Sequence, residues 1–276
     1  MRRAIACALL ILAAAQPASA QPAPTQTRAV QVGSTTSVED SGLMADLTPR
    51  FRAATGLSID LTAKSSAETL VLARRGLYDV VIVNNPEAAE AFVAAGDGLP
   101  ARALMSDTFI IVGPAEDPAG VRQAPDFPSA LVAIARERAP FVSRGDNSGT
   151  HSAEMKIWAS AGVDPKKRSG SWYRETGLGM ADALQVAARL KAYAFVDRAT
   201  WLASGVATTL PALQVRNPPL NRFVAVPVNP ARYPSIQANE ARRFLDWLTS
   251  PEGQDAIGRY TVGGERPFVP ATRSGS

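Results

Sequence analysis

The chain has 276 residues, 46% hydrophobic and 20% charged, with 29 Lys and Arg against 25 Asp and Glu, one His and one Cys. A single histidine and a single cysteine cannot build a common zinc site or a disulfide framework. Lysines are few and arginines scattered, with no basic stripe interleaved with aromatics, which argues against nucleic acid as a partner.

Residues 1–20, MRRAIACALLILAAAQPASA, combine two arginines, an apolar run from Ala4 to Ala15 and the small-residue ending Ala18-Ser19-Ala20. This is the pattern of a secretory signal peptide cleaved before Gln21, and it is too short to remain as a membrane span. Cys7 lies inside it, too early for a lipoprotein acceptor. The exported chain is therefore expected to be soluble, periplasmic and free of cysteine, without disulfides, thiolate catalysis or cysteine-held metal. Its stability then rests on a core that roughly 250 residues can bury. Without Arg2 and Arg3 the 29 basic residues fall to 27 against 25 acidic, close to balance.

Residues 21–27, QPAPTQT, read as a flexible lead-in. From Arg28 strand-like and helical runs alternate: RAVQVGS, then GLMADLTPRFRAATG closed by Gly56, LSIDLTA, AETLVLARRG, DVVIVN, the helical AEAFVAAGDG and the strand TFIIVGP. Strand and helix in alternation predict an α/β fold with a parallel sheet. Prolines at 114, 118, 125 and 128 mark a loop-like stretch, read as the crossing into a second lobe. That lobe holds the helix SALVAIARERA, the strand PFVSRG, the helices SGTHSAEMKIWASAG and GMADALQVAARLK, and the strand AYAFVD. RNPPLNRFVAVPVNP reads as the return crossing, and the helices of NEARRFLDWLTSPEGQDAIGRY are expected to pack back on the first lobe through Phe244, Leu245, Trp247 and Leu248. The expected organisation is 28–113 for the first part of lobe 1, 114–215 for lobe 2 and 216–276 for the return: two α/β lobes around a hinged cleft.

The chemical candidates narrow quickly. Ser148 with His151 suggests a hydrolase, but a nucleophile elbow needs glycines two residues either side of the serine, where Asp146 and Thr150 stand. GLGMAD, residues 177–182, departs from a dinucleotide fingerprint at Asp182 and follows no strand directly. Anion binding fits better. Three strand-to-helix turns carry hydroxyls: Ser34, Thr35, Thr36 and Ser37 after the first strand, Ser65 and Ser66 after the second, and Ser148, Gly149 and Thr150 after Arg144. Free N–H groups at helix starts and hydroxyl donors together make anion sites, at the carboxyl ends of parallel strands. Any one turn alone reads first as an N-cap; three together with an arginine favour a site. Asp146 is expected to pair with Arg144 and orient it from behind.

STTSVEDSGL (34–43), SDTFIIVGPAEDPAG (106–120), FVSRGDNSGTH (141–151), SWYRETGLGM (171–180), AYAFVDRATWL (192–202) and SPEGQDAIGRY near the end carry a resemblance that spans most of the exported chain in order. They resemble the tungstate-binding proteins of ABC importers, within the two-lobed periplasmic solute-binding proteins. Two departures stand out: Ser34 where the family usually has threonine, and Lys64-Ser65-Ser66-Ala67 where glycine tends to flank a hydroxyl residue. The resemblance implies a monomeric, non-enzymatic binding protein that takes tungstate, or next molybdate, and delivers it to a membrane permease, with no cofactor and with metal only inside the oxyanion. Two alternatives stay open on the residues. Phosphate-binding proteins share the Arg-x-Asp-x-Ser-Gly-Thr arrangement of Arg144 to Thr150. An oxyanion-ester hydrolase would need a nucleophile or metal-activated water that the chain does not offer.

Overall fold

The structure is a computed structural model and describes residues 28–271. The signal-peptide expectation for 1–20 and the lead-in at 21–27 lie outside the described residues.

In chain order the first elements are β1 (Val30–Thr35), α1 (Thr36–Asp40), α2 (Leu43–Thr55), β2 (Ile59–Lys64), α3 (Ser66–Ala73), β3 (Val80–Val83) and α4 (Pro86–Ala94). Then come β4 (Arg102–Val112), α5 (Phe127–Glu137), β5 (Phe141–Ser143), α6 (Gly149–Ser160), β6 (Tyr173–Glu175), α7 (Met180–Leu190), β7 (Tyr193–Asp197), α8 (Arg198–Ala203) and β8 (Ala212–Leu213). The chain closes with β9 (Leu220–Pro227), α9 (Ala238–Leu248), α10 (Pro251–Arg259) and β10 (Val269–Pro270). Strand order is β2-β1-β3-β9-β4-β7-β5-β6, with β1, β2 and β3 parallel in one lobe and β5, β6 and β7 parallel in the other.

The apolar runs explain why both parallel sheets are sandwiched. In β3 every residue is buried, Val80 and Ile82 in one core and Val81 and Val83 in another, because successive side chains point to opposite faces. β7 does the same in the second lobe, with Tyr193 and Phe195 on one face and Ala194 and Val196 on the other. Phe244, Leu245, Trp247 and Leu248 of α9 pack with Val30, Val32 and Phe51 of the first lobe, as their apolar spacing predicts. Phe51 meets Phe244 edge to face at 5.2 Å.

The outward passage between the sheets falls ahead of the proline-rich stretch. β4 pairs antiparallel with β9 through Arg102–Thr108 and with β7 through Phe109–Val112, so the chain passes from one lobe to the other inside a strand. The prolines from Pro114 to Pro128 follow that passage and lead to α5. Proline marks a loop, and says nothing about which sheet the preceding strand has joined. On the way back β8 still pairs with β4 in the second sheet, and β9 already pairs with β3 and β4 in the first. The return therefore falls between Leu213 and Leu220, and RFVAVP is a sheet strand.

Candidate functional site

The first turn sits at the carboxyl end of β1. Ser34 and Thr35 complete that strand, and Thr36 and Ser37 open the short α1. The hydroxyls of Ser34 and Thr35 are buried and have no hydrogen-bond partner. The Ser34 carbonyl accepts the Thr69 hydroxyl at 3.0 Å, which ties the turn to α3. Thr36 faces the other lobe, its Oγ1 accepting from Arg144 Nη2 at 3.0 Å. Ser37 is buried beside the Asp197 carboxyl.

The second turn divides its two serines. Ser65 is half-buried and caps α3, accepting the Glu68 N–H at 3.2 Å, the plain structural role open to any serine at a helix start. Ser66 is buried and donates to Asn84 Oδ1 at 2.8 Å, while Asn84 Nδ2 donates to Asn221 Oδ1 at 3.0 Å. Asn84 follows β3 directly, so it stands at the carboxyl end of the third parallel strand.

The third turn belongs to the second lobe and follows β5. Arg144 is only 2% exposed, and its Nε and Nη2 both donate to Asp146 Oδ2, at 3.2 and 2.6 Å. Asp146 Oδ1 accepts the Ser148 N–H at 3.1 Å, so this carboxylate is committed on both sides and holds the guanidinium in place. Ser148 caps α6 through the His151 N–H. His151 lies behind the loop, its Nδ1 accepting the Asn147 N–H at 3.0 Å. Burial, then the charge of Lys166, lowers its pKa, which favours the neutral ring. The Thr150 hydroxyl is buried with no partner.

Gly149 brings the third turn onto the second. A Cβ at this position would stand 2.1 Å from Asn84 Oδ1 and 2.7 Å from the Asn84 carbonyl oxygen, so only glycine allows α6 to start this close to the first lobe. Contacts from Arg144 to Thr36, Gly149 to Asn84, Ser66 to Asn84 and Thr69 to Ser34 thus link all three turns across the cleft. Thr36, Ser66, Arg144 and Gly149 take part in those contacts, with Ser34 and Thr35 next to Thr36 in the chain and Thr150 next to Gly149. Ser65 and Ser148 each accept a helix-start N–H, which leaves the hydroxyl proton free to donate, and Ser37 lies beside Asp197.

Sequence reasoning missed Asn84, Asp107 and Asp197 around this cleft. Asp197, the last residue of β7, is fully buried with one oxygen unpartnered, and burial raises its pKa. Asp107 is raised well above the usual carboxylate range by burial and by Asp197, and it accepts the Ala199 N–H at 2.9 Å. Asp40, at the end of α1, is pushed up to about 6, chiefly by burial. Acids held towards their neutral form repel an anion less than exposed carboxylates would. Position was the available signal: Asn84 and Asp197 both stand at carboxyl ends of strands, where ligands of such sheets bind. Among the described residues no group of three or more His, Cys, Asp or Glu could hold a metal ion.

A cleft lined by donors from two α/β lobes is the architecture of a solute-binding protein, and residues 18–252 match the PBP superfamily domain. The chain belongs to that superfamily. It is 36% identical over 260 residues to the tungstate-binding protein TupA of Peptoclostridium acidaminophilum, covering 93% of this chain and 90% of that protein, and it belongs to the TupA family. The tungstate ABC transporter structure from Geobacter sulfurreducens superposes with a TM-score of 0.77 at 38% identity, covering 84% of this chain and 98% of that one. The tungstate-binding protein TupA of Desulfovibrio alaskensis G20 gives 0.74 at 35% identity, over 88% of this chain and 99% of that one.

Proposed function

We propose that the protein is the exported, periplasmic binding component of an ABC importer and captures a tetrahedral oxyanion, tungstate first and molybdate second, without transforming it. It works as a monomer, takes no cofactor, and hands its ligand to a membrane permease. One observation carries the reading: Ser34 Oγ, Thr35 Oγ1 and Thr150 Oγ1 are buried without partners, on two turns of opposite lobes that Arg144 joins through Thr36. Buried hydroxyls without acceptors are costly. A tetrahedral dianion offers only acceptors, so it satisfies several of them at once.

The state of Asp146 favours a fully ionised dianion over phosphate. Hydrogen phosphate keeps a proton that a selective site must accept, and three of the roughly four acceptor positions on Asp146 are already taken. Asp197 is the other buried carboxyl near the first turn, beside Ser37, and competition between anions separates phosphate from the unprotonated dianions. Thermal shift of the exported protein with tungstate, molybdate, phosphate and sulfate in turn tests the assignment. Tungstate is expected to stabilise most, molybdate next. Stabilisation by phosphate and not by tungstate would overturn it.

A further inference from the structure

α7 starts without a cap of its own. Gly179 occupies its N-cap position and has no side chain to receive the free N–H groups of the first turn. The acceptor comes from the other lobe: Asp40 Oδ2, at the end of α1, takes the Ala181 N–H at 3.3 Å. The start of α1 lies on the same seam, since a Cβ at Gly179 would stand 4.0 Å from Thr36 Cγ2. Thr36 is also the residue that Arg144 reaches. One five-residue helix therefore touches the anion turn of the second lobe at its first residue and the N-terminus of α7 at its last.

We propose that Asp40 is the latch of the shut cleft, a positioning residue that caps α7 from across the gap and so sets how slowly the bound anion leaves. The inference rests on the capture reading above. A cap supplied by the helix's own lobe, as Ser148 supplies α6, is present whether the lobes are apart or together. A cap supplied by the opposite lobe exists only when they meet, and with the lobes apart both groups are hydrated. The carboxylate also faces the positive end of the α7 dipole, which favours charge at that place. Burial at the seam is what pushes Asp40 up to about 6, with the Ala181 N–H opposing, Asp197 adding to it, Arg144 opposing and Glu39 adding. Well above that value the carboxyl is ionised and the latch carries its charge. The opposite rim offers a natural comparison. Glu87 of α4 meets Lys156 of α6 at 2.5 Å, but the side chains are 73% and 61% exposed, and such pairs contribute little.

Stopped-flow kinetics with tungstate at pH 8, read by tryptophan fluorescence, tests this in the full exported chain. Asp40→Ala is expected to raise the dissociation rate roughly tenfold, the usual worth of a cap, with the association rate changed less than about twofold. Asp40→Asn keeps an acceptor in place and should recover part of the loss, and Glu87→Ala should leave both rates alone. A dissociation rate for Asp40→Ala equal to that of the unaltered protein overturns the latch, as does a loss seen only in association. If the unaltered protein does not bind tungstate, the capture reading falls, and the latch is judged without ligand. Spin labels on cysteines placed at exposed Arg75 and Lys167 report the distance between lobes. Asp40→Ala should shift that distribution to longer values, and an unchanged distribution overturns the proposal.

Discussion

Arg144 and Thr36 are 108 positions apart in the chain and meet at 3.0 Å across the cleft. The guanidinium is fixed by Asp146 in its own lobe and reaches the hydroxyl of the other. One side chain therefore carries both a charge at the cleft and one of the contacts between lobes.

Arg144→Ala should weaken tungstate binding by roughly 1.5–3 kcal/mol, the worth of a charge-assisted contact away from water. Arg216→Ala, on the exposed surface, should leave it unchanged. Titration calorimetry on both variants compares them directly. Equal affinities would remove Arg144 from the site.

Gly149→Ala should hold the cleft open. The added methyl meets the Asn84 carbonyl oxygen at 2.7 Å, backbone that cannot swing aside as a flexible side chain would. Small-angle scattering on the unaltered protein is expected to show compaction when tungstate is added, and the variant should show less. Full compaction in the variant would mean that the α6 start does not seat against Asn84.

Thr150→Val separates the cost of the site from its use. Its hydroxyl is buried without a partner, so replacing it with a methyl of similar shape should leave the melting temperature of the ligand-free protein equal or higher. Tungstate affinity should fall about tenfold, the loss of one hydrogen bond. A variant that melts lower and binds as before would place the hydroxyl in the fold and outside the site.

Glu154 gives a pH signature. It is buried, accepting from Ser143 at 2.7 Å, Tyr173 at 2.9 Å and Trp158 at 3.0 Å. Burial outweighs these donors and raises its pKa from 4.5 to about 7. A carboxyl whose pKa is higher folded than unfolded binds its proton more tightly in the fold. Its contribution to stability is therefore present at low pH and lost as pH rises from 4.5 to 7. Urea unfolding at pH 5 and pH 7 should show Glu154→Gln gaining about 2 kcal/mol relative to the unaltered protein over that interval. A constant difference between the two proteins would sink the assignment.

Much of this was legible because burial patterns leave period and punctuation in the sequence. The runs DVVIVN and AYAFVD announced strands covered on both faces, and Gly56 and Gly162 ended helices where expected. The three hydroxyl turns and Arg144 were legible because strand ends and helix starts can be read locally. What escaped depended on partners far away in the chain. Nothing near Asn84 announces that it will face Asn221, 137 positions later, and α1 is too short to show a helical period. Thr108 and Phe109 read as one strand, as they are, while the change of partner between them is decided by β7 and β9. Ser65 and Ser148 cap helices by accepting an N–H, a use that leaves the hydroxyl proton for a ligand, so one serine serves both readings of the sequence.

That shared strand has a consequence for how the molecule could be divided. Cutting in the proline-rich stretch after β4 would leave an N-terminal fragment with Phe109 and Ile111, both buried in the second lobe's core, at an unpaired edge. The remainder would lack the strand that covers β7 and would expose the Phe195 ring that stacks on Phe109 at 4.7 Å. Unpaired edges with apolar faces associate with one another. Neither half is a portable module: fragments cut there should aggregate separately and recover a soluble form only when expressed together.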